Sequence, residues 1–215
     1  GYPPDTLWTQ CFNYSISSGL HATDLVKAAQ SYWRVTGYLN PEPPPEIRAT
    51  SAKSNAEKRL RVGFLTSDIG EHVVSRFLTP LLRKHDKESI YVALFSTARR
   101  FEEKGLQIAS LADYRASLNE LTLQDARTCI QRANLDIIID TNGFTRDSGI
   151  AILGQRCAPI QAHYIGYHAT TGLKTIDYFF GDAITAAPEL QDQYTEQLIE
   201  IPHLWMAYDA SIEFP

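Results

Sequence analysis

Apolar runs of four to seven residues alternate with amphipathic stretches along most of this chain. The runs at 60–66, 90–95, 114–118, 135–140, 160–165, 178–180 and 198–201 have the length of strands buried on both faces. Between them, 73–84, 102–111, 123–133 and 148–156 carry apolar residues at helical spacing. Strand–helix alternation predicts right-handed βαβ crossovers. The expected fold is therefore α/β: a Rossmann-like, mostly parallel sheet with helices on both faces.

The first forty residues have a different pattern. They are rich in aromatics (Tyr2, Trp8, Phe12, Tyr14, Tyr32, Trp33, Tyr38), and 22–36 reads as a helix with Thr23 as its N-cap. Leu25, Ala28, Ala29, Tyr32 and Trp33 share one face of it. The run PEPPP at 41–45 cannot continue a helix and predicts an extended connector. Three parts follow: a helical segment at 1–40, a Pro-rich polar linker at 41–59, and a Rossmann-like domain at 60–215.

Composition narrows the function classes. Net charge is −5, from 20 basic and 25 acidic residues, which disfavours non-specific binding to nucleic acid or an anionic membrane. No apolar run approaches the roughly 20 residues of a membrane span. No basic-then-apolar secretion signal opens the sequence. Cys11, Cys129 and Cys157 are odd in number and far apart, so the expected setting is a reducing, cytoplasmic one without a disulfide framework. The Asn13-Tyr14-Ser15 triplet carries little weight as a glycosylation signal. Gly1 at the start and a lone methionine, Met206, read as a piece cut from a longer chain.

Three strand exits carry polar, turn-forming residues, which is how open α/β sheets place reactive groups at their carboxyl edge. LRVGFLTSDIGEH at 60–72 ends in Asp68 and His72, with His72 at the mouth of the next helix. A carboxylate and an imidazole there can orient a hydroxyl or move a proton, and the helix N-terminus favours a developing anion. The plainer reading of the local pattern is that Asp68 caps a turn beside a surface His72. LDIIIDTNGF at 135–144 ends in the tight-turn pair Asn142-Gly143, either a backbone wall beside a substrate or an ordinary turn. GYHATTG at 166–172 sets His168, Thr170 and Thr171 between two glycines, donors for a sugar or phosphate or a plain loop. Asp140 reads as a strand-closing carboxylate, His163 as a satisfied core histidine and Glu71 as a solvated acid. No P-loop, dinucleotide fingerprint, serine-hydrolase elbow or zincin motif occurs, and no spacing points to a metal.

These stretches, in this order, resemble the protein O-GlcNAc transferases of glycosyltransferase family 41, including the SPINDLY type. The family pattern runs LR-x-GY-x-S-x-DF-x-x-H, then D/N-x-x-G-[HY]-T, then AP-[VI]-Q-x-x-W-LGYPGT-[ST]-G-x-x-x-x-DY. The matching segments are 60–72, IIIDTNGFT at 137–145, and APIQAHYIGYHATTGLKTIDYFFGD at 158–182. A YSE-like segment follows at 194–196, and the likeness covers 60–202. The sequence departs at His168, Ala169, Tyr164, Ile69 and Val73, where the family has Pro, Gly, Trp, Phe and commonly Pro. No counterpart of a further family histidine lies between Leu7 and Tyr14.

The resemblance implies the N-terminal, acceptor-side half of a GT-B enzyme that moves N-acetylglucosamine from UDP-GlcNAc to Ser or Thr hydroxyls of proteins. It implies helical repeats upstream, a donor-binding domain downstream, a nucleotide sugar and an acceptor protein as partners, and no metal or other cofactor. By the same likeness Asp68 and His72 are catalytic, while Ile165, Gly166, His168, Thr170, Thr171, Asn142, Gly143 and Thr145 line the substrate. A divergent α/β binding module, or a GT-B enzyme with another sugar, fits the same residues.

Overall fold

The computed structural model describes residues 22–37, 59–99 and 102–208. Helix α1 (Ala22–Thr36) precedes β1 (Leu60–Thr66), α2 (Val73–Lys84), β2 (Ile90–Ser96), α3 (Glu103–Ala109), β3 (Tyr114–Ser117) and α4 (Leu123–Arg132). Then come β4 (Ile137–Asp140), a 3-10 turn (Ile150–Gly154), β5 (Ile160–His163), β6 (Tyr178–Gly181), a second 3-10 turn (Pro188–Gln193) and β7 (Gln197–Glu200). All seven strands are parallel, in the order β3-β2-β1-β4-β5-β6-β7. The order reverses between β1 and β4. That is the topological switch point, where open α/β sheets form a crevice beyond the strand ends.

Both faces of the sheet are covered because its strands alternate buried side chains with period two. Phe64, Val92 and Leu94 point to one face, against Leu78 and Leu82 of α2 and Ile108 of α3. Leu65, Ala93, Phe95 and Ile138 point to the other, against Ala126 and Ile130 of α4. Helix α1 joins that second core through Ala29, Tyr32 and Trp33. The indole of Trp33 is fully buried, lies 5.4 Å from the Phe144 ring, and donates to the Thr171 carbonyl at 2.6 Å. Its removal is worth about 3–5 kcal/mol.

Several boundaries differ from the sequence reading. Thr23 lies inside the first turn of α1, which begins at Ala22. The expected helix at 148–156 is only the 3-10 turn Ile150–Gly154. Its carbonyls are taken by side chains rather than by a continuing helix. Arg127 donates to Ile152 and Ala151, and Gln161 and Thr175 both donate to Leu153. Strand β5 stops at His163, two residues early, because Ile165 turns into the left-handed region at φ 83°. The expected linker at 41–59, apart from Arg59, and residues 1–21 and 38–40 of the N-terminal segment lie outside the described residues.

Candidate functional site at the switch point

Strand β1 leaves the sheet through Thr66, Ser67 and Asp68, and the chain turns at Gly70 (φ 126°) into His72. His72 is the N-cap of α2, with extended backbone and its ring Nδ1 accepting from the Val74 amide at 3.3 Å. The side chains of Ser, Thr, Asp or Asn usually fill this position. With Nδ1 accepting, the neutral ring carries its proton on Nε2, a free donor. Nδ1 also lies 3.4 Å from Oδ2 of Asp68. A charged ring would turn that contact into an ion pair at the expense of the cap.

Asp68 is held from the β4 exit. Asn142 donates from Nδ2 to Asp68 Oδ2 at 2.6 Å and accepts the Ser67 amide on Oδ1 at 2.7 Å. Asn142 Nδ2 also reaches the Thr145 hydroxyl at 3.3 Å, and Ser67 donates to Asp68 Oδ1 at 3.0 Å. Burial pushes the Asp68 carboxyl above its ordinary value, against the pull of His72 and the Ser67 and Asn142 hydrogen bonds. Raising a carboxylate's proton affinity makes it a better proton acceptor in transfer chemistry.

The β4 and β5 exits lock together through two glycines. A Cβ on Gly143 (φ 51°) would sit 2.7 Å from the Tyr167 side chain. A Cβ on Gly166 would sit 1.9 Å from the Thr141 carbonyl, so only glycine fits there. Immediately before Gly166 stands Ile165, a β-branched residue at φ 83°, a conformation that costs about 1–3 kcal/mol. Such outliers persist only where the surroundings over-determine them.

The candidate residues therefore fall into groups. Asp68, His72, Asn142 and Thr145 form one connected cluster, and Gly143, Ile165 and Gly166 make the adjoining backbone wall. His168 is partly exposed and stacks edge-on to Trp205 at 5.0 Å; the covered part of its ring, and then the charge of His163, lower its pKa. Thr170 and Thr171 are 1% and 0% exposed. Both hydroxyls donate to the buried carboxylate of Glu196, so they fasten the loop to the approach of β7. Sequence reasoning did not single out Ser67, Glu196 or Trp205 as site-forming groups. Glu196 was visible only as part of the YSE-like segment. Glu71 is solvated as expected and pairs with Lys104 at 2.5 Å. Among the described residues no group of three metal-capable side chains occurs, and no helix is long and apolar enough to cross a membrane.

An open, doubly wound parallel sheet with a polar crevice at its switch point defines a Rossmann-like domain of the kind paired in GT-B glycosyltransferases. The family model described as "Glycosyl transferase family 41" matches residues 43–215, and the chain belongs to that family. It is similar to the probable UDP-N-acetylglucosamine–peptide N-acetylglucosaminyltransferase SEC of Arabidopsis thaliana, 29% identical over 153 residues, covering 71% of this chain and 16% of that protein. The SPINDLY protein of Oryza sativa is 28% identical over 176 residues, covering 79% and 19%. The Caenorhabditis elegans peptide N-acetylglucosaminyltransferase is 28% identical over 170 residues, covering 77% and 14%. A solved structure of a mutant Thermobaculum terrenum O-GlcNAc transferase shares the fold, with TM-score 0.81 and 21% identity over 93% of this chain and 38% of that one. The chain thus spans under a fifth of the length of these curated relatives.

Proposed function

We propose that this chain is the acceptor-side half of a protein O-GlcNAc transferase, moving N-acetylglucosamine from UDP-GlcNAc to Ser or Thr hydroxyls. The observation that carries the reading is the Asp68–His72–Asn142 cluster at the switch point of a family 41 domain. The relatives' names supply the sugar, the nucleotide and the peptide acceptor. In the transfer the acceptor oxygen bonds to the anomeric carbon, the bond to the diphosphate breaks with its electron pair, and the hydroxyl proton leaves. His72 offers its Nε2 proton to a sugar or acceptor hydroxyl, Asp68 helps carry the departing proton, and the Ile165–Gly166 backbone holds the sugar. Such alignment alone can supply roughly 7–11 kcal/mol of the barrier.

The reading includes a donor-binding domain downstream, helical repeats upstream, a cytoplasmic setting, and no cofactor beyond the nucleotide sugar. It also holds the isolated half inactive. The test offers labelled UDP-GlcNAc and an acceptor peptide to the natural protein that carries this chain, beside the 215-residue chain with its folding checked by circular dichroism. Label transferred by the whole protein and not by the half is the expected result. A folded whole protein that transfers nothing would favour a divergent binding module or another donor sugar, as His168 and Ala169 in place of Pro and Gly would allow.

A further inference from the structure

Asp140 and His163 are both 0% exposed, and Nδ1 of the ring lies 2.7 Å from Oδ2 of the carboxylate. The other ring nitrogen, Nε2, is 2.8 Å from the Tyr167 carbonyl. A carbonyl only accepts, so Nε2 carries a proton. The Nδ1–Oδ2 contact needs one proton as well, whichever atom it rides on. The pair is therefore neutral as a unit, with one shared proton between ring and carboxylate. Oδ2 also accepts the Gly143 amide at 2.6 Å, while Oδ1 has no hydrogen-bond partner among the described residues. The ring is packed by Phe179 at 5.5 Å and Tyr167 at 6.3 Å, which excludes water.

This pair grips both strand exits that form the backbone wall of the site. Gly143 is held through Oδ2, and Tyr167 through Nε2. The main chain of Asp140 accepts the Tyr164 amide at 2.9 Å. The left-handed Ile165 is thus pinned on both sides. Asn142, which holds Asp68, lies between Asp140 and Gly143. The family pattern leaves position 163 open, so nothing in the shared motif requires a histidine there.

We propose that the buried Asp140–His163 pair is the positioning element of the switch-point site: it locks Gly143 and Tyr167, and through them the Ile165–Gly166 backbone and Asn142. The proposal concerns the site whose chemistry rests on the transferase reading, yet its structural half stands apart from that reading. His163 touches no substrate; it acts through the loop. Burial alone would favour the uncharged ring, but the Asp140 hydrogen bond and charge, the Tyr167 carbonyl and Glu196 outweigh it and raise the His163 pKa. These contacts favour keeping the shared proton.

The test uses the natural protein that carries this chain, with the double substitution Asp140→Asn and His163→Met, which removes the pair without leaving a buried charge unpaired. Amide exchange at 164–168 is expected to quicken by at least about ten-fold while the β1 and β2 amides keep their protection. In transfer assays kcat should fall by about 10- to 100-fold with the donor KM little changed. Exchange and kcat both like the parent's in the folded double variant would overturn the proposal. If the parent transfers no sugar, the functional reading fails, and amide exchange still decides the positioning claim. Should the double variant fail to fold, the imidazole NMR spectrum of the parent decides instead. Two protected protons on the His163 ring and its bridge to Asp140 are expected, and a ring open to solvent exchange would refute the lock.

Discussion

Two carboxylate–imidazole pairs flank the same crevice, and their surroundings are opposite. Asp68 and His72 lie 3.4 Å apart with side chains 14% and 48% exposed, while Asp140 and His163 lie 2.7 Å apart and fully buried. In the open pair the ring caps a helix, the carboxylate is held by Asn142 and Ser67, and both side chains reach solvent. In the closed pair every ring nitrogen is engaged and the low dielectric makes the contact strong and its loss expensive. Under the proposed reading, the same two residue types serve chemistry in one place and rigidity in the other. Environment divides the roles.

The largest expected effect comes from the wall between the pairs. Gly166→Ala sets a methyl group against the Thr141 carbonyl, and the domain should lose about 4 kcal/mol or more in denaturant unfolding. A smaller loss would mean that the two exits are less tightly mated than their geometry implies. His163→Ala breaks the closed pair and leaves Asp140 buried without its partner, so about 3–5 kcal/mol of stability should disappear in the same measurement. His72→Ala should behave in the opposite way. Losing the cap costs about 1 kcal/mol of stability, while turnover of the whole enzyme falls by about 10²–10⁴-fold.

Stability against pH sharpens the contrast. His163, faced by Asp140, Glu196 and the neighbouring His168, has a raised pKa, so its contribution is complete below the ordinary histidine value and fades as pH climbs through the folded value. Asp68 is also raised, by burial, so its protonated form favours the native state in acid and that benefit fades as pH rises past the ordinary aspartate value. Unfolding midpoints measured across pH should decline in two separate windows. Asp68→Asn should remove the acid one, and the Asp140→Asn, His163→Met double variant the alkaline one. The smallest effect is a control away from both pairs. Lys104→Ala breaks the exposed contact to Glu71 and should shift stability by no more than about 0.5 kcal/mol.

Much of this was legible in the sequence. The bounds of β1, α1 and α2 follow directly from apolar periodicity, and the Asp68–His72 pair stands out because a buried strand ends in it. What escaped reading was partnership across distance. Nothing local says that Asn142 reaches Asp68 from 74 residues away, or that Trp33 of a separate-looking segment donates to Thr171 in the domain core. Asp140 and His163 were each readable as structural, but 23 residues separate them and only the parallel pairing of β4 with β5 joins them. The short 3-10 turn at Ile150–Gly154 was misread as a helix because its apolar residues are buried all round, and periodicity cannot see carbonyls claimed by Arg127 and Gln161.

The most direct test of the account is the turnover of His72→Ala in the natural protein that carries this chain. It is measured with saturating UDP-GlcNAc and acceptor peptide on protein whose unfolding curve stays close to the parent's. The account predicts turnover at least about 100-fold lower. Turnover indistinguishable from the parent's would contradict it, and would leave both pairs as parts of the scaffold.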